Sequence, residues 1–165
     1  MPITQKIKPH KCQIAIWEIK ETLAELLQEA KNLDVSKFNT EKRKKEFLSI
    51  RILLNILAPN SIVSYNKYGA PQLENNKFIS ISHSENLAAI IISTNNVGLD
   101  IQKISKKPLQ LSSKFIAKNT HTPLTKEKAT LIWSCKEAIF KWYQKGNINF
   151  IKDIQISPFI FQKKG

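Results

Sequence analysis

A carboxylate and an amide, Asp100 and Gln102, lie two residues apart in segment 97–102, whose sequence is VGLDIQ. The segment predicts a β-strand, and alternate residues of a strand share one face. Asp100 and Gln102 would then lie side by side with Gly98, where the backbone can be approached closely. Hard cations such as Mg²⁺ prefer oxygen ligands and often share them with substrate phosphates. Taken alone, however, the segment is explained more simply by an aspartate in water at a strand end.

A second candidate is segment 133–141, WSCKEAIFK, within a helix predicted from about residue 125 to residue 145. Trp133, Glu137 and Lys141 are spaced four residues apart and form one stripe, with Lys136 beside it. A carboxylate between an aromatic ring and two lysines could hold a metal ion together with phosphates. Alone, this segment also favours a simpler interpretation, a surface Glu–Lys pair with Trp133 in the core.

The third candidate is segment 79–84, ISISHS. On a predicted strand Ser80, Ser82 and Ser84 share the face opposite His83, and hydroxyl and imidazole groups can donate hydrogen bonds to phosphate. A Ser-His-Asp hydrolase is the alternative. The segment, however, lacks the nucleophile elbow of such enzymes, and a strand points neighbouring serine and histidine side chains apart.

The remaining histidines and the two cysteines show no spacing typical of metal ligands. His10 and His121 lie in polar stretches, so we predict that both are solvated surface residues. Cys12 and Cys135 are predicted to be packing residues, and two cysteines are too few for a disulfide framework.

The elements that must position these residues predict a mixed fold. A strand near residues 14–19 precedes a helix that begins with a capping box at Thr22 and Glu25. A second helix follows Thr40, and its first turns are basic, which opposes the helix dipole and so does not serve helix stability. Later strands are predicted at residues 62–65, 78–82, 87–93, 97–101 and 153–161, with a hairpin turn at Asn95 and Asn96. This order favours an α+β fold over a doubly wound parallel sheet.

Size and charge narrow the partners. The chain has 165 residues, room for one domain or for two small halves sharing a core, and 26 Lys plus Arg against 13 Asp plus Glu give a net charge of +13. Three partner classes fit: nucleic acid, an anionic membrane surface, and an acidic protein or phosphorylated ligand. Composition alone favours nucleic acid. The start of the chain has no apolar signal segment and no apolar run is long enough to cross a membrane, so we expect a cytoplasmic protein without membrane contact.

In their order, the three candidate segments resemble the three-block signature of the Sfp-type 4′-phosphopantetheinyl transferases. Segment 41–51, EKRKKEFLSIR, resembles the basic helix that precedes those blocks, and segment 68–71, YGAP, resembles the Gly-Lys-Pro turn of the family. The resemblance covers roughly residues 39–161. It implies a single transferase-like domain over residues 1–165, made of two similar α/β halves (about 1–75 and 76–165) with the cofactor cleft between them.

The resemblance implies a magnesium-dependent enzyme that transfers the 4′-phosphopantetheine group of coenzyme A to a serine of an acyl or peptidyl carrier protein. Asp100 and Glu137 would ligate Mg²⁺, with Gln102 in a third ligand position. Glu137 could also accept the proton of the attacking serine. Asp100, Glu137 and Lys141 would thus be the catalytic residues. An acidic carrier would suit the positive charge through electrostatic steering, without nucleic acid.

The resemblance also implies a set of cofactor contacts. Lys136 and Lys141 would contact the phosphates and the pantetheine arm of coenzyme A. Ser82 and His83, with Lys67, would hold the 3′-phosphate of the nucleotide. Such an enzyme would serve fatty-acid or polyketide biosynthesis, and the resemblance leaves the type of carrier open.

Four features depart from the family pattern. Gln102 and Thr120 stand where many relatives carry acidic residues, Ala70 replaces the lysine of Gly-Lys-Pro, and the chain ends at Gly165 where larger relatives continue with more strands. Two interpretations therefore stay open: an active transferase, or a non-catalytic homologue that binds coenzyme A or a carrier protein. A nucleic-acid-binding domain is the third, but such a surface has no use for two convergent carboxylates.

Overall fold

The computed structural model of the chain describes residues 3–7, 11–74 and 77–161. His10 therefore lies outside the described residues. Ten helices and strands, together with a short 3₁₀ helix at Ser112–Lys114, follow one another along the described chain in this order: β1 (Ile3–Ile7), β2 (Cys12–Glu18), α1 (Leu23–Glu29), α2 (Glu41–Leu57), β3 (Val63–Tyr65), β4 (Pro71–Leu73), β5 (Phe78–Ser84), β6 (Leu87–Ser93), α3 (Lys106–Gln110) and α4 (Lys126–Tyr143).

The main sheet has four antiparallel strands in the order β1-β2-β6-β5. Strand β6 lies between β2 and β5, with Ile90 opposite Ala15 on one side and opposite Ile81 on the other. Its residues after Leu87 are all buried, which explains why β6 is a continuous apolar run without alternation. A separate two-stranded ribbon pairs β3 with β4.

Threonine side chains begin the three longer helices. The hydroxyls of Thr22, Thr40 and Thr125 accept hydrogen bonds from backbone amides three residues later, at 3.3 Å in each case. At Thr22 the carboxylate of Glu25 returns the bond to the Thr22 amide at 2.7 Å, which completes the predicted capping box. The start of each helix was therefore readable from local sequence.

Two apolar cores hold the fold together. In the first, α1 and α2 pack against the sheet around Trp17, Leu48 and Ile90. The second is smaller and joins α4 to the segments on either side of it, around Phe115 and Ile132. Burial of apolar surface in both cores stabilises the fold, by roughly 25 cal/mol per Å² removed from water.

The architecture is mixed α and β, compatible with the α+β prediction. The four-stranded sheet takes β1 and β2 from before residue 75 and β5 and β6 from after it. The two similar halves implied by the resemblance stay a prediction.

Two predicted strands are wrong. Residues 97–101 and 153–161 adopt no regular strand. The hairpin predicted at Asn95 and Asn96 is wrong as well, because residues 97–101 form no strand that could pair with β6. The hairpin of this region joins β5 to β6 and turns at Glu85 (φ +52°) and Asn86. No helix among the described residues is both long and apolar enough to cross a bilayer.

Candidate active site

Segment 97–103 lies against strand β5, held by side chains instead of a backbone ladder. Three serine hydroxyls on one face of β5 accept hydrogen bonds from alternate backbone amides of this segment. The pairs are Ser80 with Leu99 (3.0 Å), Ser82 with Ile101 (3.1 Å) and Ser84 with Lys103 (3.1 Å). The predicted serine face is therefore real, and these hydroxyls position the segment that carries Asp100.

Gly98 lets helix α4 approach this segment closely. A Cβ atom at Gly98 would overlap the carbonyl oxygen of Ala138 and lie 2.8 Å from the backbone nitrogen of Trp142. The Asn96 side-chain amide donates to the Trp142 carbonyl at 2.6 Å, a further link to the same helix end. The close approach predicted at Gly98 is thus that of a helix backbone.

Asp100 is the centre of a buried polar cluster. Its side chain is only 3% exposed. Its Oδ1 accepts hydrogen bonds from Ser82 Oγ at 3.0 Å and from Lys141 Nζ at 2.7 Å, and Lys141 Nζ also lies 3.1 Å from Ser82 Oγ. Its Oδ2 is buried without a hydrogen-bond partner among the described residues. One carboxylate oxygen is therefore paired, and the other is a buried acceptor that no described residue satisfies.

Glu137 completes the cluster. Burial raises the pKa of its carboxyl, the negative charge of Asp100 raises it further, and the positive charge of Lys141 opposes both effects. Two carboxylates from distant parts of the chain thus interact electrostatically across segment 97–103 and α4. We name Ser82, Asp100, Glu137 and Lys141, together with the cavity described next, the carboxylate cleft.

A cavity of about 260 Å³ adjoins the cluster. It lies between β5, the β3–β4 turn and the C-terminal end of α4, and Lys141 belongs to its wall. Tyr65, Tyr68 and Phe140 supply aromatic surface, and Ala70 lies in the wall as well. The cavity can therefore take an extended, mostly apolar group with an anionic end near Lys141.

The cluster fits a divalent cation in part. A buried, unpartnered carboxylate oxygen next to a second carboxylate is the donor chemistry that Mg²⁺ uses. Within the described ranges no group of three His, Cys, Asp or Glu side chains could hold a metal, and Gln102 is exposed to solvent. Two protein carboxylates leave most of a coordination shell to substrate phosphates and water.

His83 lies on the other face of β5 and contacts helix α2. Its Nε2 is 2.8 Å from Arg43 Nη1, and its Nδ1 is 3.4 Å from Glu46 Oε1. The pKa of His83 is lowered, chiefly by burial, and the cations Arg43, Lys141 and Lys42 lower it further. Glu46 acts in the opposite direction and raises the pKa. A neutral imidazole with its proton on Nδ1 satisfies both contacts. This region is a cationic surface next to the carboxylate cleft.

Two predicted cofactor lysines lie apart from Asp100. Lys67 is exposed on the β3–β4 turn, with its Nζ 5.1 Å from the ring centroid of Tyr68. Lys136 is 4% exposed and points into the second core, where Nζ donates to the carbonyls of Phe150 and, at 2.5 Å, Ile154. Burial lowers the pKa of Lys136. Its expected contact with cofactor phosphates stays a prediction, and in this structure the two carbonyls bind the ammonium on the side of the second core.

The sequence interpretation missed several contributors. Arg43 and Glu46 hold the imidazole of His83 in place through its two ring nitrogens. The basic first turns of α2, which do not serve helix stability, were the sequence feature that could have indicated this role. His121, predicted to be a solvated surface residue, is only 6% exposed. Cys135 was predicted to pack, but it is exposed, because it lies on the solvent side of α4. Cys12 is partly buried on β2.

Comparison with known proteins adds a partial similarity. No protein-family model matches the chain. The 4′-phosphopantetheinyl transferase gsp of Aneurinibacillus migulanus is 29% identical to it over 101 residues, which cover 57% of this chain and 43% of that protein. The chain thus matches less than half the length of this curated relative. Over that part it is similar to a 4′-phosphopantetheinyl transferase.

Proposed function

We propose that the chain transfers the 4′-phosphopantetheine group of coenzyme A to a serine of an acyl or peptidyl carrier protein. The observation that carries this proposal is the meeting of Asp100, Glu137 and Lys141 beside an aromatic cavity. Asp100 comes from segment 97–102, whereas Glu137 and Lys141 lie one turn apart on α4. The partial similarity to a 4′-phosphopantetheinyl transferase supports the same reaction.

The reaction is a phosphoryl transfer that needs positioning and charge neutralisation. The serine oxygen of the carrier attacks the β-phosphorus of coenzyme A, and the bond from that phosphorus to the bridging oxygen breaks. Adenosine 3′,5′-bisphosphate leaves with the bond electrons, and the serine proton passes to Glu137. The raised pKa of Glu137 suits a proton acceptor that must work near neutral pH.

The remaining groups bind and orient the substrate. Lys141 neutralises negative charge on the transferred group and keeps Asp100 in place through their 2.7 Å contact. Asp100 and Glu137 would hold Mg²⁺, with Oδ2 of Asp100 as the free oxygen. When bound, the ion supplies further neutralisation of the pyrophosphate charge. Gln102 is assigned a weaker, neutral third position.

The nucleotide end of coenzyme A is assigned to the surface around His83. Ser82 and His83 are neighbours on β5 but face opposite sides of the strand. Ser82 faces the reacting centre at Asp100, and His83 faces Arg43. Arg43 and Lys67 add positive charge for the 3′-phosphate. The aromatic cavity between Tyr68 and Phe140 accommodates the uncharged pantetheine arm.

The carrier protein is expected to be acidic around its serine. A net charge of +13 steers an acidic partner toward the surface. Because salt screens this attraction, binding of the partner should weaken as the salt concentration rises. This partner explains the charge of the chain without nucleic acid.

A non-catalytic homologue that binds coenzyme A or a carrier is the second candidate. The exposed amide of Gln102 favours it, together with the lack of a three-ligand metal group among the described residues. Binding by this homologue would use the same cavity and cations, and only the chemical step would be missing.

The test is incubation of the protein with coenzyme A, Mg²⁺ and a panel of apo carrier proteins, followed by mass spectrometry of the carriers. Modification of a serine with the phosphopantetheine mass is the expected result. Micromolar coenzyme A affinity in calorimetry without any modification supports the non-catalytic homologue. Tight, sequence-dependent DNA binding without measurable coenzyme A affinity overturns both proposals.

A further inference from the structure

A second cavity, of about 350 Å³, lies on the opposite side of α4 from Asp100. Its wall is formed by the loop before α4, by α4 itself and by the segment after it. Thr120, His121, Lys136 and Gln155 provide its polar surface, and we name it the lysine cavity. Thr120 and Gln155 are exposed, so the cavity is open to solvent above a buried cationic floor.

The floor carries positive charge without a matching carboxylate. Lys136 makes no ion pair with a described residue, and no acidic side chain borders the lysine cavity within the described part of the chain. Asp153, close to it in sequence, instead accepts a hydrogen bond from the Asn149 amide at 2.7 Å. Two backbone carbonyls take up two of the three N–H groups of the ammonium, but carbonyl dipoles do not neutralise its charge. Buried charges are normally paired.

His121 adds an unused polar atom to the same wall. The residue is only 6% exposed, and its Nδ1 has no hydrogen-bond partner among the described residues. Its ring lies edge-on to Phe159 at 5.7 Å between centroids. Lys128, also buried, places its Nζ 5.3 Å from the centre of that Phe159 ring. Lys136 and His121 are therefore the two basic side chains in the wall of the lysine cavity, and Lys128 lies behind it on Phe159.

We propose that the lysine cavity binds a small oxyanion, of the phosphate, sulfate or carboxylate class. An oxyanion accepts hydrogen bonds from the third N–H of Lys136 and from an N–H of the His121 imidazole, and it supplies the negative charge that the wall lacks. The volume is ample for one tetrahedral anion with water. This site is separate from the carboxylate cleft, and the inference does not rest on the proposed transferase activity.

The experiment is an NMR titration with inorganic phosphate at constant ionic strength, with chloride as the balancing anion. The protein has three histidines, and their imidazole signals report on different regions: His121 on the lysine cavity and His83 on the neighbourhood of the carboxylate cleft. We expect a saturable shift of the His121 signal with phosphate and none with chloride. A shift that never saturates, or an equal shift with chloride, overturns the proposal, because it reports only general screening.

A variant pair makes the test specific. Thr120→Glu places a carboxylate at the rim, which competes with the added anion for Lys136 and His121. We expect phosphate affinity at the His121 signal to fall at least about tenfold. Thr120→Gln matches it in size and equally loses the 2.7 Å bond from Thr120 Oγ1 to the Ala117 carbonyl, but it keeps the phosphate response.

Thermal unfolding provides a second readout. Phosphate should raise the midpoint of the unmodified protein and of Thr120→Gln by mass action. Thr120→Glu should start at a higher midpoint and gain less from phosphate. An unchanged His121 response in Thr120→Glu overturns the proposed site, whatever the His83 signal does.

Discussion

The carboxylate cleft and the lysine cavity share one helix but differ in their balance of charge. In the cleft, Asp100 and Glu137 both interact with Lys141, so one cation offsets part of the charge of two carboxylates. In the cavity, Lys136 and His121 have no carboxylate beside them among the described residues. Lys136 and Glu137 are adjacent in sequence, yet successive helix positions are turned about 100° apart. Adjacent residues of one short helical motif can therefore face two different sites.

The largest expected effect is on the chemistry of the cleft. Glu137→Gln removes one proposed metal ligand and the proposed proton acceptor in a single change. We expect turnover to fall by about a hundredfold or more, as combined roles of this kind do. The measurement is the initial rate of carrier modification under saturating coenzyme A and Mg²⁺.

The matched control for that change is Cys135→Ser, which alters an exposed residue two positions away on the same helix. It should leave turnover unchanged. In Glu137→Gln the response of His121 to phosphate should also persist, because the lysine cavity is untouched. Full activity in Glu137→Gln would show that the catalytic site has been misplaced.

A second change separates segment 97–103 from α4. Gly98→Ala places a methyl group on the Ala138 carbonyl oxygen, which is backbone and cannot swing away. We expect a loss of about 3 kcal/mol in the free energy of unfolding, typical of severe overpacking, and a loss of coenzyme A affinity. Urea unfolding monitored by tryptophan fluorescence measures the first quantity.

Gly69→Ala is the control for that experiment. Gly69 has φ +80° but no atom within 4 Å of the added Cβ, so it carries only backbone strain, of about 1 kcal/mol. If the two variants were equally stable, the tight packing of α4 on Gly98 would not be what holds the cleft together.

The sequence predicted local features, such as helix caps and strand faces, better than the contacts between distant segments of the chain. Thr22 and Thr125 cap helices through contacts within three residues, so their role is visible in the sequence alone. The shared face of Ser80 and Ser82 follows from strand periodicity. Asp100 was expected on a strand, but the serine hydroxyls of β5 take the place of a backbone ladder. Sequence periodicity does not distinguish those two partners.

Other parts of the site depend on distant chain segments. Lys136 turns away from the cleft because the carbonyls of Phe150 and Ile154 arrive beside it, and they come from a stretch predicted in part as a strand. His121 is buried because Phe159 covers it. Neither contact can be predicted from the residue types near positions 121 and 136, because the partners are distant in sequence. The grouping of Asp100 with Glu137 was anticipated only through the resemblance.

A smaller effect concerns protons near the cleft. The pKa of His83 is lowered in the folded protein, chiefly by burial, and Arg43, Lys141 and Lys42 act with burial against Glu46. The unfolded state therefore binds more protons between the lowered pKa and the ordinary value of 6.5. The stability contributed by neutral His83 is present above 6.5 and is lost as pH falls through the lowered pKa.

The check is the free energy of unfolding from pH 8 to pH 5 for the unmodified protein and His83→Gln. The difference between the two should shrink with falling pH, because only the unmodified protein takes up this proton on unfolding. Subtracting the variant removes the contributions of the groups that both proteins share. Parallel curves, or a difference that grows toward acid pH, would contradict the lowered pKa.

The smallest expected effect tests the proposed third metal position and the charge contrast between the two sites. Gln102 is exposed and lies two residues beyond Asp100. Gln102→Glu adds one negative charge near the two carboxylates, and ligand charge tunes the affinity for divalent cations. Because an exposed charge contributes at most about 1 kcal/mol, the Mg²⁺ concentration for half-maximal turnover should fall by no more than about fivefold.

Gln155→Glu is the matched change in the lysine cavity, since it converts the same amide into the same carboxylate on the other side of α4. It should suppress the phosphate response of His121 and leave the Mg²⁺ dependence unaltered. If both variants lowered the Mg²⁺ requirement equally, the effect would reflect the reduced net charge of +13 and not a ligand position. If the unmodified protein modified no carrier and Gln102→Glu restored activity, the non-catalytic homologue would be the correct interpretation. In that case the missing carboxylate at residue 102 is what separates binding from chemistry in this cleft.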